Sequence, residues 1–189
     1  MIEELMQYVP FNEEEKLFKQ EMIEFIKNNP LYLFRENEEG HLTVSCWIVN
    51  KSRDKVLMCY HNIFNSYSWC GGHSDGEKDI RKTCLKEAHE ETGLNNLAFI
   101  DEKIFSIEIL DVKEHIKNGK IVNKHKHYNL TFILEADDNE KLRIKEDENS
   151  SLRWMKESEV YSLVKETWLI DHVYKKFFLK MKMINEYRN

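Results

Sequence analysis

Glycine and proline are scarce, at 6 and 2 of 189 residues, too few for the linkers that separate domains or the tracts that keep a chain disordered. A single domain over residues 1–189 is expected. Positive charge is not in excess: 28 Lys and Arg stand against 34 Asp and Glu, a net charge of −6. Nothing in that balance neutralises a duplex phosphate backbone, so no role on duplex nucleic acid is expected. Cysteine is limited to Cys46, Cys59, Cys70 and Cys84, with no C-x-x-C pair, which suits free thiols in a reducing compartment. No apolar run approaches the roughly 18 residues of a membrane span, and the acidic opening M-I-E-E-L lacks the positive start of a signal peptide. A cytoplasmic chain off the membrane is expected. What the chain does have is core, with 41% hydrophobic and 12% aromatic residues, enough apolar surface to fold.

The patterning runs from helix to strand and back. Phe18, Met22, Phe25 and Ile26 recur at helical spacing behind Asn12, a good cap for the acidic turn Glu13, Glu14, Glu15, and Pro30 stops that helix. His41 to Asn50 and Lys55 to His61 are rich in β-formers and flank the polar turn Lys51 to Asp54, which predicts a hairpin. Asp79 to Thr92 reads as a helix, with Asp79 at its cap and Gly93 just past its end. Strands are expected at Ala98 to Asp111, His125 to Glu135 and Leu152 to Met155, with a turn near Asn118-Gly119 between the first two. Helices are expected at Glu157 to Lys165 and Asp171 to Met183. Strands on both sides of a central helix, closed by terminal helices, predict a mixed α/β or α+β chain with helices covering a sheet.

The chemistry concentrates between Gly71 and Leu94, G-G-H-S-D-G-E-K-D-I-R-K-T-C-L-K-E-A-H-E-E-T-G-L. At about 100° per residue, Glu87, Glu90 and Glu91 fall in one narrow arc of the helix. Like charges so placed repel, and a hard dication such as Mg2+ or Mn2+ would relieve them; a solvated acidic face is the other use of such residues. At this chain's own Gly and Glu frequencies, Gly72, Glu87, Glu90, Glu91 and Gly93 at preset spacings have a chance on the order of one in a few thousand.

This stretch resembles the Nudix box, G-x5-E-x7-R-E-U-x-E-E-x-G-U with U aliphatic, the signature of metal-dependent pyrophosphohydrolases. Gly72, Glu87, Ala88, Glu90, Glu91, Gly93 and Leu94 match. Lys78 replaces the first glutamate, with Glu77 one residue earlier, and Lys86 replaces the arginine, keeping the charge but losing its planar fork. The resemblance implies an α/β/α sandwich with a mixed sheet, its core at about 42–164, an N-terminal helical extension at about 1–30 and a C-terminal helix at about 171–183. It also implies cleavage of a diphosphate linkage, in a nucleoside diphosphate joined to another group, by water attack at phosphorus. Mg2+ or Mn2+ would be held by Glu87, Glu90, Glu91 and Glu77, with Glu90 and Glu87 catalytic and the loop glycines Gly71 and Gly72 letting backbone approach the cofactor. The partner would be a small nucleotide or other diphosphate compound, bound by a monomer or homodimer. The alternative is a catalytically weak nucleotide-binding or sensor module on the same fold.

Outside the box, Glu148 in the acidic run Glu146, Asp147, Glu148 is a candidate proton acceptor, or simply part of a charged loop. His125 and His127 alternate along a strand and share a face with Asn129, while Tyr128, Leu130, Phe132 and Leu134 face a core. Such histidines ligate metals, contact phosphates or line the rim of a substrate cleft, and His73 in the box loop is open to the same uses. His61 and His89 read as packing or surface residues. Tyr67 and Trp69 would either stack on a base or fill core. Val173, Phe177, Leu179 and Met181 form an apolar stripe that would pack on the sheet or a second subunit.

Overall fold

A computed structural model describes residues 1–63, 65–117, 119–145 and 149–186. Helices α1 (Ile2–Gln7) and α2 (Glu13–Asn28) come first; α1 was not expected, and Asn12 caps α2 by accepting the Glu15 N–H at 2.8 Å. Strands β1 (Gly40–Asn50), β2 (Val56–His61), β3 (Ser66–Ser68) and β4 (Cys70–His73) follow. The predicted hairpin forms between β1 and β2, with Val49 opposite Val56. Helix α3 (Ile80–Thr92) carries the acidic residues; Asp79 accepts the N–H groups of Arg81 and Lys82, and Gly93 leaves the helix at φ +74°.

The expected strand at Ala98 to Asp111 is instead two, β5 (Ala98–Phe99) and β6 (Ser106–Val112). Ile100 N–H donates to the Ile133 carbonyl and Phe105 N–H to the Thr131 carbonyl, so residues 101–104 loop out opposite a short step of the partner strand. The charged run Asp101-Glu102-Lys103 explains the interruption. Strands β7 (His115–Lys117) and β8 (Lys120–Val122) pair across Gly119; Asn118 lies outside the described residues. Strands β9 (His125–Ala136) and β10 (Asn149–Met155) precede α4 (Glu157–Leu163), α5 (Thr167–Leu169), a π-helical turn (Ile170–Tyr174) and α6 (Lys175–Glu186). Eight strands hydrogen-bond in the order β10-β2-β1-β9-β5, with β3 on β2, β4 on β1 and β6 on β9. The expected α+β architecture is the one observed.

Packing divides the chain into two compact units, each drawing on several stretches of sequence. Residues 1–45, 71–84 and 102–132 form one. There α1 packs on α2 and α2 on β6, and β6 runs antiparallel to β9 from Ser106 opposite Thr131 to Val112 opposite His125. Its apolar interior, with Leu5, Met22, Leu42, Ile107, Leu130 and Phe132 buried, encloses a polar network: Glu15 is fully buried and accepts from Tyr8 Oη at 2.6 Å, Phe11 N–H at 2.7 Å and Ser106 Oγ at 2.8 Å. Glu108 accepts from Asn129 Nδ2 and Thr131 Oγ1 at 3.0 and 2.8 Å, and Asn129 Oδ1 accepts from both Thr43 and Ser45.

Residues 46–70, 85–101 and 133–189 form the other. Here β2 pairs with β10 and β3, Leu57 lying opposite Trp154 and Cys59 opposite Ser68, while β5 pairs with β9 at Ala98 opposite Glu135. Its interior is aromatic. Trp47 is fully buried against Tyr174, Phe177 and Phe178, and its indole N–H meets Met181 Sδ at 2.8 Å. Of the expected C-terminal stripe, Val173, Phe177 and Met181 are buried, but Leu179 is 50% exposed. At about 100° per residue it lies some 200° from Phe177, and Phe178 takes the buried place instead.

Candidate active site

The acidic residues of α3 divide by burial. Glu90 is the accessible one, its side chain 39% exposed, whereas Glu87 and Glu91 are buried. One turn of helix brings Glu87 and Glu90 to a common cation: Lys86 Nζ lies 3.0 Å from Glu87 Oε1 and 3.4 Å from Glu90 Oε1. Lys145 Nζ approaches the other Glu90 oxygen at 3.9 Å. The hydrogen bond to Glu87 holds the Lys86 ammonium above the usual lysine range. These lysines offset the repulsion expected between carboxylates at i,i+3.

Glu91 points elsewhere. Asn149 Nδ2 donates to it at 3.4 Å, and its carboxylate, Cys59 Sγ and Cys70 Sγ lie within 4.8 Å of one another. The two sulfurs are 2.8 Å apart and fully buried; burial raises the Cys59 thiol above its ordinary range, and the bond to Cys59 together with burial does so for Cys70. Of the candidate ligands, then, Glu87 and Glu90 share one immediate neighbourhood and Glu91 has another.

Glu77 opens α3. It accepts the Asp79 N–H at 3.1 Å and pairs with Lys82 at 2.6 Å, a contact that holds its carboxyl below the usual carboxylate range. Gly71 and Gly72 lie on β4. A side chain at Gly71 would sit 2.6 Å from Ser45 Oγ and 2.7 Å from the Val44 carbonyl, so the backbone of β1 leaves no room for one. Gly76, at φ +88°, packs as closely on Phe34. Glu148, the expected proton acceptor, lies outside the described residues.

The histidines gather as well. His41 on β1, His73 on β4, and His125 and His127 on β9 have ring centroids 4.9 to 5.1 Å apart in every pair in contact. Burial and the neighbouring rings push His127 down to about 2, and burial followed by His125 pushes His41 down to about 4.

The NUDIX domain family matches residues 39–177, most of the chain. The chain belongs to the NUDIX family. By that membership it is a Nudix-type hydrolase, an enzyme acting on phosphoric anhydrides. Among solved structures it is similar to the C. elegans Ap4A hydrolase, at 13% identity and TM-score 0.56, covering 75% of this chain and 98% of that one. It is also similar to the E. coli dihydroneopterin triphosphate pyrophosphohydrolase, at 13% identity and TM-score 0.54, covering 73% and 94%. At such identity the likeness shows the fold. No curated protein matches the chain in sequence. Among the described residues no helix is long and apolar enough to cross a membrane.

Several other residues take places that spacing alone did not settle. Trp69 is core, 6% exposed and edge-on to Tyr174 and Phe177; Tyr67 is half-buried, edge-on to Tyr60. His89 is exposed and bonds the Leu94 carbonyl at 2.9 Å past the helix end. His41 was not among the candidates. Its signal was present, a histidine opening a strand whose alternate residues Thr43 and Ser45 are also polar, but one strand cannot show which ring will face it.

Proposed function

We propose that this Nudix-type hydrolase cleaves a diphosphate linkage in a nucleoside diphosphate joined to a second group, with Mg2+ or Mn2+ held by Glu87 and Glu90, while Glu91, turned toward Cys59, Cys70 and Asn149, takes no part in that pair. The observation that carries the reading is the ammonium of Lys86 seated between Glu87 and Glu90. A cation already occupies the space that repulsion between the two carboxylates leaves, and their oxygens are the donors a hard dication takes. When bound, such an ion neutralises anionic phosphate oxygens and makes water a stronger nucleophile.

The chain supplies the rest. Glu90, exposed to solvent, is the carboxylate a substrate can reach, and Glu87, packed against it through Lys86, fixes its position. Lys86 and Lys145 would yield the carboxylates to such an ion, leaving their ammonium groups for phosphate oxygens. Water adds to phosphorus as the bond to the bridging oxygen breaks, giving two phosphate-bearing products. The same proposal takes residues 1–189 as one Nudix-type domain working in the cytoplasm.

The test is a panel of nucleoside di- and triphosphates, dinucleoside polyphosphates and nucleotide sugars, with and without Mg2+ or Mn2+, the products resolved by chromatography. Turnover that needs the ion and falls on the order of a hundredfold in Glu90→Gln is the expected result. Turnover unchanged in Glu90→Gln would sink the assignment of that residue. Saturable nucleotide binding without products would favour the weak binding module, in which Lys86 pins the carboxylates.

A further inference from the structure

We propose that His41, His73 and His127 form a binding site for one Zn2+-class transition-metal ion, a site built from residues other than the box glutamates. The three side chains come from three strands, β1, β4 and β9, and each offers a ring nitrogen within 4.8 Å of the other two. Their centroids form a nearly equilateral triangle, with sides of 4.9, 4.9 and 5.1 Å. An ion with metal–nitrogen bonds of about 2.0–2.1 Å holds tetrahedral ligands about 3.3–3.4 Å apart, so the donor atoms need close by no more than about 1.5 Å.

The second observation is His41. It is 3% exposed, yet among the described residues neither of its ring nitrogens has a hydrogen-bond partner of good geometry, and the Asn37 backbone only partly offsets the effect of burial on its basicity. A buried imidazole normally satisfies both nitrogens, and leaving a polar group unmet costs about 1–3 kcal/mol. A metal bond at one nitrogen removes that cost. Asp75, the acid that acts on His41, is instead bound by Arg35 through both of its oxygens. Burial holds His41 and His127 below the usual histidine range, which favours the neutral ring that a metal binds.

Donor chemistry selects the ion. Imidazole nitrogen suits Zn2+, Ni2+ or Cu2+ and is a poor ligand for Mg2+, so this site and the carboxylates of α3 draw on different ions. His125 Nε2 lies 3.1 Å from His127 Nε2 and stacks on His41 at 5.0 Å, placed either to join as a fourth ligand or to orient His127.

The untagged chain, stripped with chelator and dialysed into excess Mg2+, is titrated with Zn2+ and the bound ion examined by X-ray absorption. One equivalent should bind, with a shell of nitrogen and oxygen only and the outer scattering of imidazole rings. His73→Ala and His127→Gln should each weaken Zn2+ by more than the about 10–100-fold that losing even an outer hydrogen-bond partner of a ligand costs. Glu90→Gln and Cys59→Ser should leave Zn2+ affinity unchanged. No stoichiometric binding, sulfur in the shell, or a loss of affinity in Glu90→Gln would each overturn the site. The absorption spectrum of the unaltered chain decides the matter even if a histidine variant does not fold. Because Glu90→Gln is the variant that tests phosphate chemistry, the two proposals fail separately.

Discussion

Both compact units bury apolar side chains, and they differ in what else fixes the interior. In residues 1–45, 71–84 and 102–132 a network of directed polar contacts runs through the apolar packing, from Tyr8 and Ser106 onto Glu15 and from Asn129 and Thr131 onto Glu108. In residues 46–70, 85–101 and 133–189 it is held by rings, Trp47 and Trp69 against Tyr174 and Phe177. The strands themselves record the change. Alternate residues of β1 read His41, Thr43, Ser45 and then Trp47, Val49; alternate residues of β9 read His125, His127, Asn129, Thr131 and then Ile133. Aromatic packing stabilises in proportion to the surface it buries and tolerates small shifts, whereas a buried polar network fixes which atoms meet and costs heavily when one member is missing. The polar unit is therefore the one suited to holding side chains at set distances, and the histidine cluster lies in it.

Removing the centre of the aromatic unit should have the largest effect. Trp47→Ala deletes a fully buried ring touching Tyr174, Phe177 and Phe178. It should cost about 3–5 kcal/mol in urea unfolding. A loss under about 1 kcal/mol would mean the rings are not the packed centre. Glu108→Ala comes next. It strips the acceptor from Thr131 Oγ1 and one of the acceptors from Asn129 Nδ2, which also reaches Thr131 Oγ1, and from Ser106 Oγ, all buried, and should cost about 1–3 kcal/mol. Here the two interiors should differ in kind. Adding Thr131→Val removes one stranded donor, so the double variant should be less destabilised than the sum of the single changes, by about 0.5–3 kcal/mol. Plain additivity would show that the buried polar groups act independently.

Much of this was legible in the letters, and the failures have physical causes. Asn12 before three glutamates, Asp79 and Gly93 around α3, and the polar turn before β2 are local signals, readable because each residue acts on backbone within a few positions. The acidic residues of α3 were legible for the same reason, since helical spacing alone puts Glu87 and Glu90 one turn apart. What escaped was set by distant partners. Strands β3 and β4 are too short to show alternation and exist because β2 and β1 offer them backbone partners. The turning of Glu91 toward Cys59, Cys70 and Asn149, and the meeting of His41 with His73 and His127, join positions far apart in sequence. Periodicity says which face a side chain takes and nothing about what waits there.

The smallest effect concerns Lys86, where a solvent-exposed lysine takes the place of the buried hydrogen bonds that serve Glu15 and Glu108. Its side chain is 58% exposed, so its pairs with Glu87 and Glu90 are screened by water. Lys86→Arg should change stability by less than about 0.5 kcal/mol. Its planar fork can hold both carboxylates at once where one ammonium must divide itself between distances of 3.0 and 3.4 Å. Steady-state kinetics on the best substrate should show turnover equal to or a few-fold above that of the unaltered chain, with the metal requirement unchanged. A clear fall in turnover would show that this chain uses the freedom of the lysine itself, releasing the carboxylates as an ion arrives, a movement that a guanidinium gripping both of them would slow.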